Sequence, residues 1–274
     1  MQNLEEKHLE ESNCSSANSD QRDWALKLYS KSPLKQKKFE MISKFCPKTA
    51  GKVCLDIGSD NGVISLLLRQ QGGEWHSADL IEETVTSIRE LVQTNVDQIS
   101  GTKTPYIDNQ FDLVIIVDFL EHIETDSTFV NELKRILKPT GHLIINVPNP
   151  KQGLLRKLQF LIGQTDLAHG HVRPGYTVEE LQQLLGSGFK IQQHESYSRF
   201  FSVLIDTLIT FALDILKGKR GQKGTVVTKN DLTKMKKSFK LFSLIYPVIS
   251  LFVTLDKLVP FSHGNMLIAV ASKE

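Results

Sequence analysis

Apolar and polar positions alternate along this chain in two rhythms. From residue 20 a helical period runs through Trp24, Leu28 and Tyr29, breaks at Ser32-Pro33, and resumes through Leu34, Phe39, Ile42 and Phe45 before Pro47. Beyond it, short apolar runs take turns with amphipathic stretches. Strands are predicted over Val53–Ile57, Trp75–Asp79, residues 96–100, Leu113–Val117 and Leu143–Val147, and helices over residues 63–71, 82–94 and 124–137. That alternation requires a mostly parallel sheet with helices on both faces. Leu113–Val117 is apolar at every position, as a strand covered on both faces should be. After Pro148-Asn149-Pro150 comes a loop and helix region. Thr177–Leu185 then reads as a helix stopped by Gly186 and Gly188, Phe189–Gln193 as a strand, and Met266–Val270 as the last strand.

Two stretches depart from this pattern. Residues 1–19, rich in Ser, Asn and Glu, bury too little apolar surface to offset the entropy of ordering, and are expected to form a disordered tail without an apolar secretory region. Residues 196–263 separate the sixth and seventh strands and carry two apolar helices. In 200–217, Asp206, Thr207, Thr210, Asp214 and Lys217 fall in one arc of about 100° and apolar side chains fill nearly all the rest, a face too wide for a helix lying on a small domain. In 239–259 a narrow polar stripe of Lys240, Ser243, Pro247, Ser250, Thr254 and Lys257 runs along an otherwise apolar helix. The expected domains are therefore 20–195 plus 264–274, with 196–263 as an inserted amphipathic helical segment.

Charge sharpens this division. The net charge of +2 conceals nine Lys or Arg between Lys217 and Lys240 against Asp231 alone, so a basic linker joins the two apolar helices while the rest of the chain is mildly acidic. The longest uncharged run, Leu241–Leu255, is shorter than the roughly 20 apolar residues a spanning helix needs. Lying in a membrane interface is the expectation, with packing on a second subunit as the alternative. Few aromatics interleave the basic residues, which argues against nucleic acid. Cys14, Cys46 and Cys54 form no CxxC pair, so a disulfide framework and a zinc ribbon are excluded and a reducing cytoplasm is expected.

Chemistry concentrates at the strand ends. Val53-Cys54-Leu55-Asp56-Ile57-Gly58 leads through a turn to Gly62, where glycines let a ligand approach the backbone and a helix start offers free N–H groups. Asp60 occupies the middle, so the dinucleotide fingerprint G-x-G-x-x-G is absent, and Asp56 suits a cationic group better than a pyrophosphate. Asp79 closes the second strand, where a carboxylate can accept two ribose hydroxyls. The loop His169-Gly170-His171-Val172-Arg173-Pro174-Gly175-Tyr176 could meet an acidic or phenolic substrate, while Thr177 with Glu180 forms a capping box.

Leu55-Asp56-Ile57-Gly58 with Gly62, Asp79, Phe111-Asp112-Leu113-Val114, Leu120-Glu121-His122-Ile123 and Leu133-Lys134-Arg135-Ile136-Leu137-Lys138-Pro139 with Gly141 together resemble the class I S-adenosylmethionine-dependent methyltransferases, over about residues 52–193. The resemblance implies a Rossmann-like, doubly wound α/β fold with seven strands in the order 3-2-1-4-5-7-6, the last antiparallel, and S-adenosylmethionine across the strand ends. It assigns Asp56, Gly58, Gly62 and Asp79 to the cofactor. Asp60 departs from the family's middle glycine, and residues 100–106 lack an acid that often meets the adenine amine. Asp118, His122 and His171 are the candidate catalytic residues. The site is expected to work without metal; some relatives that look similar place a divalent ion on acid-x-x-Glu-His, which here falls on Asp118, Glu121 and His122. The expected activity is methylation of an oxygen on a lipid-like or membrane-delivered small molecule by a cytoplasmic protein at the inner, anionic face of a membrane. The alternatives are a soluble homodimeric methyltransferase and a non-catalytic scaffold.

Overall fold

Leu113 to Val117 are each no more than 2% exposed, and a strand so covered on both faces can only lie inside its sheet. The computed structural model describes residues 22–150, 155, 159, 161, 162, 170–217, 232–259 and 262–274. The tail 1–19, His169 and residues 218–231 of the basic linker lie outside them. The strands are β1 (Val53–Ile57), β2 (Glu74–Asp79), β3 (Val96–Gln98), β4 (Phe111–Val117), β5 (Leu137–Pro148), β6 (Phe189–Tyr197) and β7 (Met266–Lys273), in the order β3-β2-β1-β4-β5-β7-β6. β7 runs antiparallel to β5 and β6, while β1 to β5 pair in parallel, as expected.

Alternate residues of the same strands feed two cores. Leu55, Ile57, Val114, Ile116 and Leu143 join one, and Cys54, Leu113, Ile115, Val117 and Ile144 the other. The first core receives Phe129, Leu133 and Ile136 of α5 (Asp126–Ile136), and Leu181 and Leu185 of α6 (Val178–Leu185). The second receives Met41 and Ile42 of α2 (Pro33–Phe45), which follows α1 (residues 22–29) after the break at Ser32-Pro33. α3 (Val63–Arg69) and α4 (Glu82–Val92) complete the αβ units. The Thr177 hydroxyl and Glu180 carboxylate cap α6 reciprocally.

Several strands outrun their apolar patterns. β5 begins at Leu137, because ladder pairing with β4 and β7 carries strand geometry through polar residues such as His142. Between β6 and β7 stand α7 (Phe200–Lys217) and α8 (Leu232–Leu255). Thr207 and Thr210 of the polar arc of α7 are buried.

β1 is flanked by β2 on one side and β4 on the other, so the loops leaving it diverge and open a crevice at the strand C-termini. The loop between β3 and β4 is fastened to α5 by Glu132, which accepts from the Thr104 N–H (2.8 Å) and hydroxyl (2.7 Å) and from Arg135 Nε (2.8 Å) and Nη2 (2.7 Å). The Arg135 hydrogen bonds hold the Glu132 carboxyl down at about 2, against its burial. Glu132→Ala is expected to cost about 2–4 kcal/mol by denaturant titration near neutral pH. That contribution is complete above the ordinary value of 4.5 and is lost as pH falls toward 2, so the two proteins converge in acid.

Candidate active site

The turn after β1 is held from beneath by a carboxylate. Asp56 is 0% exposed; one oxygen accepts from the Ser59 hydroxyl and from Ser65 Oγ (2.6 Å), and the other from Ser77 Oγ (2.8 Å). Burial raises its pKa, and the three hydroxyls together with the charge of Arg69 oppose that rise. Asp56 therefore ties β1 to its own turn, to α3 and to β2. Gly58 takes φ +84°, and a Cβ there would lie 2.2 Å from the Val117 carbonyl oxygen; Gly62 takes φ +78°, and its Cβ would meet Ile88 Cα at 2.8 Å. Both need glycine for conformation and for space. Asp60 between them also sits at positive φ, +55°, a conformation that aspartate tolerates better than most residues. The change from the familiar glycine thus preserves the turn.

Asp79, at the end of β2, is 8% exposed. Burial pushes its carboxyl up to about 6, against the Ile81 N–H it accepts at 3.3 Å; Asp60 adds to the rise. Asp118, just past β4, takes φ +46° and accepts from Asn146 Nδ2 at 2.9 Å and from the Lys38 ammonium. Burial opposes the charge of Lys38, but Asp118, Asp60 and Glu121 outweigh it and raise its pKa. Tyr197 donates to Asn146 Oδ1, completing a polar chain from α2 to β6. Lys35, one turn before Lys38, pairs with Asp60 at 3.2 Å. The helix α2 is thus tied to both loops of the crevice.

Glu121 is fully buried, and neither carboxylate oxygen has a hydrogen-bond partner. Burial, then the charge of Asp118, raise its pKa well above the ordinary value. The structure gathers Glu121 with His122 and His171: one ligand atom from each lies within 4.8 Å of the others, and the imidazole rings stand perpendicular with centroids 4.7 Å apart. His122 Nδ1 lies 3.0 Å from the Gly170 carbonyl oxygen. A carbonyl can only accept, so the neutral ring carries its proton on Nδ1 and leaves Nε2 as the base. Asp118 stands outside this group, engaged with Lys38. Arg173 and Tyr176 are turned to construction: Arg173 pairs with Asp126 and donates to the Ile123 carbonyl (2.8 Å), and Tyr176 donates to Asp126 Oδ2 (2.8 Å).

Sequence reasoning passed over Lys38, Asn146, Tyr197 and the three serines. Asn146 and Ser77 were visible as polar residues within buried strands. Lys38 had no such mark, since α2 also carries Lys35, Lys37 and Lys44.

Strand order and crevice together define the class I methyltransferase fold. Residues 55–145 match the family described as "Methyltransferase domain". The ubiquinone biosynthesis O-methyltransferase of Pseudomonas paraeruginosa is 27% identical over 106 residues, covering 36% of this chain and 46% of that protein. The chain thus spans about half the length of such curated relatives. Among solved structures, the [4+2]-cyclase SpnF superposes with a TM-score of 0.55 at 17% identity, covering 86% of this chain and 80% of that one. Phosphoethanolamine N-methyltransferase 2 of Haemonchus contortus, in complex with S-adenosyl-L-methionine, gives 0.54 at 18% identity, covering 87% and 52%. Residues 55–145 of this chain thus match the methyltransferase domain, and the chain shares the class I methyltransferase fold of those solved structures.

The raised Asp79 carboxyl sets a stability cost. Its value in the fold lies above the ordinary 3.8, so ionisation opposes folding; the penalty is absent below 3.8 and grows as pH rises toward about 6. Asp79→Asn is expected to stabilise the ligand-free protein near pH 7.5 by at most about 3 kcal/mol, with little gain near pH 4, as read by thermal unfolding at the two pH values.

Proposed function

We propose that the protein transfers the methyl group of S-adenosylmethionine to an oxygen of a small molecule that is lipid-like or delivered from a membrane. The observation that carries this reading is the crevice at the strand ends, where the positive-φ turn at Gly58 stands beside the buried carboxyl of Asp79, which burial pushes up to about 6. Bound there, S-adenosylmethionine supplies an electrophilic methyl on a sulfonium cation. Asp79 would hold the ribose hydroxyls and the backbone at Gly58 the methionine moiety, while Gly62, pressed on Ile88, and Asp56 keep that turn in shape. Asp60, Asp79 and Asp118 place carboxyl groups around the crevice, a setting that disfavours a pyrophosphate.

His122 Nε2 accepts the proton of the acceptor hydroxyl, and His171, packed against that ring, orients it. Asp118 fixes Lys38 and the crevice wall. Oxygen as the accepting atom is supported by the likeness to ubiquinone biosynthesis O-methyltransferases. The apolar faces of α7 and α8 support a lipid-like acceptor and attachment to a membrane; among the described residues no helix is long and apolar enough to cross one.

A second reading rests on Glu121. A buried carboxylate with two unpartnered oxygens beside two imidazoles is a donor set that suits a divalent ion. Such an ion, held by Glu121, His122 and His171, would lower the pKa of an acceptor hydroxyl.

Titration calorimetry with S-adenosylmethionine tests the main reading. The wild type is expected to bind, and Asp79→Ala to weaken binding by at least about tenfold, the loss of a bidentate hydrogen-bonded contact. Absence of binding by the wild type would retire the proposal in favour of a non-catalytic scaffold. For the second reading, the free manganese signal in electron paramagnetic resonance should fall with the wild type and not with Glu121→Gln.

A further inference from the structure

We infer that α7 and α8 form a docking face that lies in the surface of an anionic lipid bilayer. The inference rests on the lipid-like or membrane-delivered acceptor for its purpose, and names the partner that delivers it. Its physical basis is an inversion. On α7 the polar residues Ser202, Thr207 and Thr210 are 1%, 1% and 7% exposed, whereas Phe200, Leu208 and Phe211 are 43%, 49% and 40% exposed. Gln159 donates to Thr207 Oγ1 at 2.8 Å on the buried side. Ile205 shares that buried side at 8%, yet a helix resting on a domain in water turns its large apolar side chains inward and its polar ones outward.

α8 continues the pattern. Leu241, Leu244, Val248 and Leu251 recur at helical spacing and are 45–76% exposed, while Ile249 turns inward at 4%. Leu258, just beyond, is also open, which extends the apolar edge to roughly 25 Å at 1.5 Å per residue. The two helices are locked together: Asp256, after α8, accepts the N–H groups of Arg199 (2.6 Å), Phe201 (2.9 Å) and Ser202 (3.1 Å) at the start of α7.

Charge decides what covers this face. Exposed Lys240 and Lys257 bracket the leucines. Lys31 lies over the Tyr246 ring at 5.0 Å and Lys27 over Trp24 at 5.2 Å, with Trp24 edge-on to Phe239. By sequence, the stretch from Lys217 to Lys240 holds nine Lys or Arg and one Asp. A second copy of the chain would bring two such basic stretches together, whereas an anionic bilayer neutralises them and covers the apolar side chains at once. The face also adjoins the crevice, since α2, whose Lys38 pairs with Asp118, packs against α8.

Flotation of the full chain with vesicles tests the inference. Binding to phosphatidylcholine containing about 30% phosphatidylglycerol is expected to exceed binding to phosphatidylcholine alone on the order of tenfold, and to fall in about 0.5 M salt. Leu244→Gln with Leu251→Gln should lower binding on the order of tenfold, as should Lys240→Glu with Lys257→Glu, leaving thermal unfolding and cofactor calorimetry unchanged. Failure to bind anionic vesicles, equal binding to neutral ones, or a dimer in sedimentation that the leucine variant disperses would each overturn it. Vesicle binding without S-adenosylmethionine binding would sink the methyltransferase reading alone, and the reverse would sink this one alone.

Discussion

A carboxylate at the bottom of a sheet crevice is an unfavourable thing to bury, and Asp56 is buried completely. Three serine hydroxyls make it tolerable, and each comes from a different place: the turn, the first turn of α3, and β2. The need to satisfy one buried group therefore fixes how β1, its turn and its neighbours meet. With the turn held from below, Gly58 is pressed against the Val117 carbonyl and Gly62 against α4, and the positive φ values along the turn follow. The crevice at the strand ends is a consequence of that arrangement.

Above this floor the site is dominated by acids. Asp60, Asp79, Asp118 and Glu121 converge from three loops, and the described basic groups answering them come from α2, through Lys35 and Lys38. The fold thus keeps two carboxyl groups, Asp79 and Glu121, at pKa values lifted by burial, and leaves both carboxylate oxygens of Glu121 without a hydrogen-bond partner. Raised carboxyls and unsatisfied buried oxygens lower stability, and they gather here in one crevice, where a ligand can compensate them.

The segment between β6 and β7 obeys a different rule. In the sheet, apolar side chains turn inward and polar ones are hydrogen-bonded or exposed. In α7 Thr207 and Thr210 turn inward while Phe200, Leu208 and Phe211 turn outward. The likeness to SpnF, a cyclase, shows how far one fold carries different chemistry. The distinguishing features of this protein lie in such additions and in the loops.

The parallel sheet was legible in the apolar run Leu113–Val117 and the β/α alternation, its strand order only through the resemblance carried by Leu55–Gly58, Asp79 and Leu120–Ile123, and the turn around Gly58 through its glycines. Asp79, His122 and His171 stood out as polar residues at strand ends or in a loop. Other features could not be read along the chain. Lys38 lies 80 positions from Asp118, and nothing local separates it from its neighbouring lysines. Arg173 and Tyr176 looked available for substrate until packing spent them on Asp126. The polar arc of α7 was evident as a pattern, but a helical period states only that two faces differ. Which face turns inward depends on what packs against it, here Gln159 and the neighbouring helix, and that is settled by tertiary contacts alone.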